Sequence, residues 1–117
     1  MQKQARGESL TMFVADRMLP GMSKDLLAEV QRLLHQATGR VSSTGRMVRY
    51  LQCLYFPDDD RCICVFEADD LETVRRVNEI AQVPFHRISS AIEFWAPGVA
   101  PGEVRANRHE RSSHDKA

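Results

Sequence analysis

Residues 46–67 constrain the fold more than any other part of the chain. Two runs rich in strand formers, RMVRYLQCLYF (46–56) and RCICVFE (61–67), flank Pro57-Asp58-Asp59-Asp60. β-Branched and aromatic side chains suit a pleated, half-buried surface, and a four-residue Pro/Asp connection between two such runs predicts a hairpin. If Phe56 pairs with Arg61, Cys53 falls opposite Cys64 and Tyr55 opposite Cys62.

The remaining elements follow from periodicity. Leu10 to Asp16 is a short apolar strand, ended by Leu19-Pro20-Gly21. Ser23 is an N-cap for a helix whose apolar face is Leu26, Leu27, Val30, Leu33, Leu34 and Ala37, with Gly39 as its stop. Asp69 and Glu72 form a capping-box-like start for a second helix carrying Leu71, Val74, Val77 and Ala81. Val83-Pro84-Phe85 breaks that helix, and Arg87 to Trp95 reads as the last strand. The order β-α-β-β-α-β predicts an α+β, ferredoxin-like fold: a four-stranded antiparallel sheet, order 4-1-3-2, with two helices on one face.

Within the 117 residues, 1–9 read as a flexible leader, 10–96 as the folded domain and 97–117 as a disordered tail rich in Pro, Gly and charge. Lys plus Arg and Asp plus Glu both number 16, so the formal charge is zero, which argues against a nucleic-acid partner. No apolar run approaches the ~18–20 residues that span a bilayer. The polar start lacks a signal core, and three cysteines are too few for a disulfide scaffold, so a cytoplasmic, reducing setting is expected.

Side chains alternate across a strand, which sorts the sheet residues into two faces. Leu51, Cys53, Tyr55, Cys62, Cys64 and Phe66 are placed under the helices. Met12, Val14, Asp16, Val48, Tyr50, Gln52, Leu54, Ile63, Val65 and Glu67 are placed on the other side, which no helix remains to cover. A bare apolar sheet face predicts a homodimer packed sheet to sheet, a dimeric α+β barrel with a space between the sheets.

Candidate chemistry lies in three places. Taking the first and third strands as parallel neighbours puts Asp16 and Glu67 at one rim of the sheet, with His86 beside them. Two carboxylates and an imidazole suit a divalent first-row metal such as nickel or zinc. Arg17, Arg46 and Arg87 at the same end offer ordinary ion pairs as the competing reading. Cys53, Cys62 and Cys64 share a face and three thiolates bind soft metals, yet without a CxxC or a histidine in register they read as core packing. Tyr50, Gln52 and Glu67 line the expected inter-sheet cavity, where polar groups orient a small ligand or hydrogen-bond one another. His35 reads as a boundary histidine, His109 and His114 as weak tail candidates, and Asp58-Asp59-Asp60 as turn chemistry. No P-loop, GxGxxG, HExxH or GxSxG motif is present, which lowers the case for an enzyme.

Phe13-Val14-Ala15-Asp16-Arg17 with Leu19-Pro20-Gly21 resembles the F-x-V-E-R-x-L-P-G opening of a small bacterial family described as nickel-binding proteins of unknown function. Arg49-Tyr50-Leu51, the 56–59 turn, the run from Cys62 to Ala68 and the segment Val83 to Ile88 resemble its later segments, in order. The resemblance implies a ferredoxin-like dimer that binds a divalent metal such as nickel, with Asp16, Tyr50 and Glu67 at family-pattern positions and His86 where the pattern varies. Two functions follow as expectations. One is non-catalytic metal binding for sequestration or sensing. The other is a small-molecule binder or cofactor-free oxygenase or isomerase in the inter-sheet cavity. A third, a regulatory domain using the tail, also stands.

Overall fold

A computed structural model describes residues 10–99. The leader 1–9, most of the expected tail, and His109 and His114 lie outside the described residues. Six elements follow in the expected order: β1 (Thr11–Met18), α1 (Lys24–Ser42), β2 (Val48–Phe56), β3 (Arg61–Ala68), α2 (Leu71–Ala81) and β4 (Arg87–Ala91). The sheet runs β2-β3-β1-β4, which is the expected order read from the other edge. Every neighbouring pair is antiparallel.

The hairpin forms as its sequence dictates. Phe56 pairs with Arg61, Tyr55 with Cys62, Leu54 with Ile63 and Cys53 with Cys64. Asp60 takes the left-handed conformation (φ 51°) that closes the turn, and the Arg61 guanidinium lies 5.2 Å from the centroid of the Phe56 ring. Asp tolerates that conformation better than a bulky residue does.

One irregularity changes the faces. Tyr50 pairs with Phe66, but Gln52 pairs with Val65, so β2 advances two residues while β3 advances one. This β-bulge at Leu51 reverses the alternation once. Val48 and Tyr50, expected on the uncovered side, therefore join Cys53, Cys62, Cys64 and Phe66 beneath the helices. Val48 is buried, and Tyr50 packs against the core. Gln52, Leu54, Ile63, Val65 and Glu67 remain on the open side.

Both helices depart slightly from expectation. Ser23 caps α1 as expected, its side chain accepting from the Leu26 amide at 3.1 Å. Gly39 does not stop the helix, which continues to Ser42. The apolar stripe of Leu34, Ala37 and Val41 runs past the glycine, and burying Val41 outweighs the ~1 kcal/mol that a helical glycine costs. In α2 the N-cap is Asp70 rather than Asp69; its carboxylate accepts from the Thr73 amide at 2.9 Å. Asp69 instead accepts from the Thr73 hydroxyl at 2.7 Å and from the Met47 amide at 3.3 Å, tying the start of α2 to the start of β2.

The core lies between the sheet and the two helices. Phe13, Ala15, Cys62, Cys64, Phe66 and Ala68 meet Val30, Leu34, Val41, Val74, Val77 and Ala81 there. β4 ends at Ala91, short of the expected Trp95, and Ile92 and Phe94 beyond it are 79% and 87% exposed. Among the described residues, no helix is long and apolar enough to cross a membrane.

Hydrogen bonds from Thr73, with help from the Arg46 charge, hold the Asp70 carboxyl below the usual carboxylate range. Its stabilising effect is therefore complete at neutral pH and is lost as pH falls through that lowered value. The Asp70→Ala variant is expected to lose about 1 kcal/mol of stability at neutral pH and less in acid, read as a smaller midpoint shift in urea unfolding at low pH.

Candidate metal centre

The antiparallel ladder rules on the first candidate group. β1 and β3 run in opposite directions, so Asp16 sits opposite Ile63 and Glu67 opposite Met12. Four residues of strand, about 13 Å, separate their positions along the sheet. The expectation that Asp16, Glu67 and His86 share one rim rested on a parallel β1–β3 pair, and it is corrected here. His86 does lie beside Asp16, its amide donating to the Asp16 carbonyl at 3.0 Å. Both Asp16 carboxylate oxygens accept from Arg61, at 3.2 Å each. That hydrogen bonding from Arg61 holds the carboxyl below its usual range against the opposing effect of burial, and the Arg61, His86 and Arg87 charges add to it. At the other end Glu67 pairs with Arg49 at 3.2 Å.

The second group comes together. Cys53, Cys62 and Cys64 place their sulfurs within 4.8 Å of one another, and they are the only set of three or more ligating residues so grouped among the described residues. Cys53 Sγ lies 2.8 Å from Cys62 Sγ, and Cys62 Sγ 3.9 Å from Cys64 Sγ. All three cysteines are free; Cys62 and Cys64 are fully buried and Cys53 partly so. Strand pairing explains the convergence. Cys62 and Cys64 alternate onto one face of β3, and the register brings Cys53 directly opposite Cys64 and diagonal to Cys62.

The bulge supplies a roof. Tyr50 stacks on Phe66, with ring centroids 5.0 Å apart, and its hydroxyl reaches the Gln31 side-chain oxygen on α1 and Cys64 Sγ at 3.7 Å. Burial keeps the Tyr50 phenol protonated far above neutral pH. It therefore stays a donor, its one proton facing the Gln31 oxygen as the closer acceptor and the Cys64 sulfur as the farther one.

Next to the thiols is a buried cation. Arg17 is directly opposite Cys62 in the β1–β3 ladder and is 0% exposed. Its guanidinium donates to the carbonyls of Val83 (3.3 Å) and Pro84 (3.1 Å) and to Asn78 Oδ1 (2.7 Å). All three acceptors are neutral. Arg17 Nε and Gln31 Nε2 are buried without hydrogen-bond partners. Buried charges are ordinarily matched by an opposite charge or a metal site, and an orphaned buried donor calls for a partner.

Hydrogen bonds from Cys53 and Cys62 draw the Cys64 thiol far down, and the Arg17 charge adds to this against burial. Cys62 moves up, chiefly through its hydrogen bonds to Cys53 and Cys64. For Cys53 the hydrogen bond with Cys62 pulls down, but the interaction with Cys64 and burial outweigh it, pushing the thiol up to about 11. The shifts run in opposite directions within one hydrogen-bonded group, Cys64 toward the thiolate and Cys53 and Cys62 toward the thiol.

The sequence places the cysteines in the core, where they are found, and Arg17 among rim carboxylates, where it is not. The signal for Arg17 was present: it shares strand parity with the buried Phe13 and Ala15. Gln31 likewise falls between Leu27 and Leu34 on the helical stripe. Of the expected cavity residues, Tyr50 belongs to this thiol site, while Gln52 and Glu67 stay on the open face.

A family model described as "Nickel responsive protein SCO4226-like" matches residues 13–90. The chain belongs to that SCO4226-like family of nickel responsive proteins. Among solved structures, the crystal structure of SCO4226 from Streptomyces coelicolor A3(2) is similar, at 20% identity and a TM-score of 0.57, over 76% of this chain and 99% of that one. At that identity the likeness bears on the fold alone. No curated protein matches the chain.

Proposed function

We propose that the protein is a non-catalytic metal-binding protein that holds one divalent ion, nickel being the ion its family name indicates, in sequestration or sensing. Cys53, Cys62 and Cys64 would hold the ion. The observation that carries this reading is the convergence of three thiol sulfurs beside a buried cation and two orphaned donors. The donor set is sulfur-only and soft. It fits thiophilic divalent ions, and a site of nitrogen, oxygen or sulfur donors binds nickel(II) more tightly than manganese, iron or cobalt. An ion would supply positive charge that holds all three sulfurs as thiolates. The protein's own residues do the rest: the hairpin sets the sulfurs, the Tyr50 hydroxyl lies 3.7 Å from Cys64 Sγ, and the core around Cys62 and Cys64 excludes water. A cytoplasmic location fits this reading, because a reducing compartment keeps the three thiols free.

We expect nickel(II) and cadmium(II), titrated separately, to bind one ion per chain and to produce an ultraviolet sulfur-to-metal charge-transfer band. Cys53→Ser, at the partly exposed position, weakens both by at least about tenfold, or about 1.4 kcal/mol. The pair Asp16→Ala with His86→Ala leaves them unchanged. Affinity lost in the Asp16/His86 variants and kept in Cys53→Ser would contradict this assignment. Cadmium binding without nickel binding would retain the thiol centre and remove nickel from it.

We infer also that a second copy covers the open sheet face. Met12, Val14, Leu54 and Ile63 lie on it, Leu54 is 47% exposed, and among the described residues neither helix packs over them. A domain this small commonly gains stability from such a partner. Sedimentation at micromolar concentration is expected to give a dimer that Leu54→Glu dissociates; a native monomer would contradict it.

A further inference from the structure

Arg17 presents a problem of charge that hydrogen bonds alone do not solve. It is fully buried, and every acceptor it meets is neutral: two carbonyls and the Asn78 amide oxygen. None of the described carboxylates forms an ion pair with it. Its Nε is left without a partner. A guanidinium cannot escape this cost by losing its proton. The anionic chemistry next to it in the fold is the thiol cluster, beginning with Cys62 directly across the β1–β3 ladder.

We propose that Arg17 is the built-in counter-charge of the Cys53–Cys62–Cys64 centre and that it commits the centre to soft divalent cations over trivalent ones. This rests on the thiol-centre reading above and adds the selectivity rule. Three thiolates around a divalent ion carry one net negative charge, which the single positive charge of Arg17 cancels. A trivalent ion makes the thiolate complex neutral and leaves Arg17 unmatched. In a buried, low-dielectric site an unmatched charge is costly, so the charge state nearest neutrality wins. Arg17 thus acts through the thiolates; it need not touch the ion. Its three neutral hydrogen bonds fix the cation in place, so it cannot swing to solvent when the site is filled with the wrong charge.

Cadmium(II) and arsenite are the probes that separate these cases. Arsenite exchanges its three As–O bonds for three As–S bonds, the thiol protons leaving in three waters, and gives a neutral tris-thiolate. The native protein is expected to favour cadmium. Arg17→Met, similar in length and uncharged, is expected to lose cadmium affinity by at least about tenfold while arsenite affinity holds or rises. Arg17→Lys, which keeps the charge and loses the planar fork, restores the preference for cadmium. A role in packing alone would weaken both ions together, and that result overturns the proposal, as does an unchanged preference in Arg17→Met.

Should Arg17→Met fail to fold, the native protein supplies the second arm. Its cadmium-to-arsenite affinity ratio is expected to be at least about tenfold higher when folded than in concentrated guanidinium chloride, where Arg17 no longer sits beside the thiols. An equal ratio overturns the proposal. Absence of binding by both ions to the folded native protein would sink the thiol-centre reading and this inference with it. Binding with a preference indifferent to Arg17 would sink the inference alone.

Discussion

One added residue in β2 determines what lies beneath the helices. In an unbroken strand Tyr50 and Cys53 would face opposite sides, because side chains alternate with a period of two. The bulge at Leu51 reverses that alternation between Phe66 and Val65 of the partner strand. Tyr50, Val48, Cys53, Cys62 and Cys64 then share the covered face, and the open face keeps Gln52 and Leu54. Without the bulge the thiols would still converge, but Val48 and Tyr50 would leave the core, and the phenol that reaches Gln31 and Cys64 would point to the open side. The packing of α1 over β2 depends on this switch.

Charge is the second determinant. A buried guanidinium with only neutral partners is a liability in a small domain, since an uncompensated buried charge costs several kcal/mol. Here the same face of the sheet holds a group able to carry the opposite charge. Cys64 is biased to the thiolate by its thiol neighbours and by Arg17. Arg17 lies across the β1–β3 ladder from Cys62, and its charge favours the anionic form of Cys64.

The sequence made the fold legible because the relevant signals are local. The Pro57–Asp60 turn set the hairpin and its register, and Ser23 and the Leu26–Ala37 stripe set the first helix. The Cys53–Cys64 pairing followed from the turn alone. Four features were less accessible. A bulge has no strong sequence mark, so Val48 and Tyr50 were assigned to the wrong face. Gly39 reads as a helix stop because what carries the helix past it, the burial of Val41, is a tertiary effect. The Asp16–Glu67–His86 group failed on strand direction: β1 and β3 are antiparallel, and the residue that accompanies Asp16 is Arg61, not Glu67. The cysteines read as packing in the sequence, and Cys62 and Cys64 do lie in the core; that Arg17 from β1 and Gln31 from α1 approach them is visible only in the fold.

Membership of the SCO4226-like family agrees with the fold and points toward nickel, and the thiol centre gives this chain a specific place to look. The most direct test is X-ray absorption at the metal edge of protein loaded with nickel or zinc. The account predicts a first coordination sphere with three sulfur scatterers at the short metal–thiolate distance, about 2.3 Å for zinc. A sphere made of nitrogen and oxygen alone would contradict it.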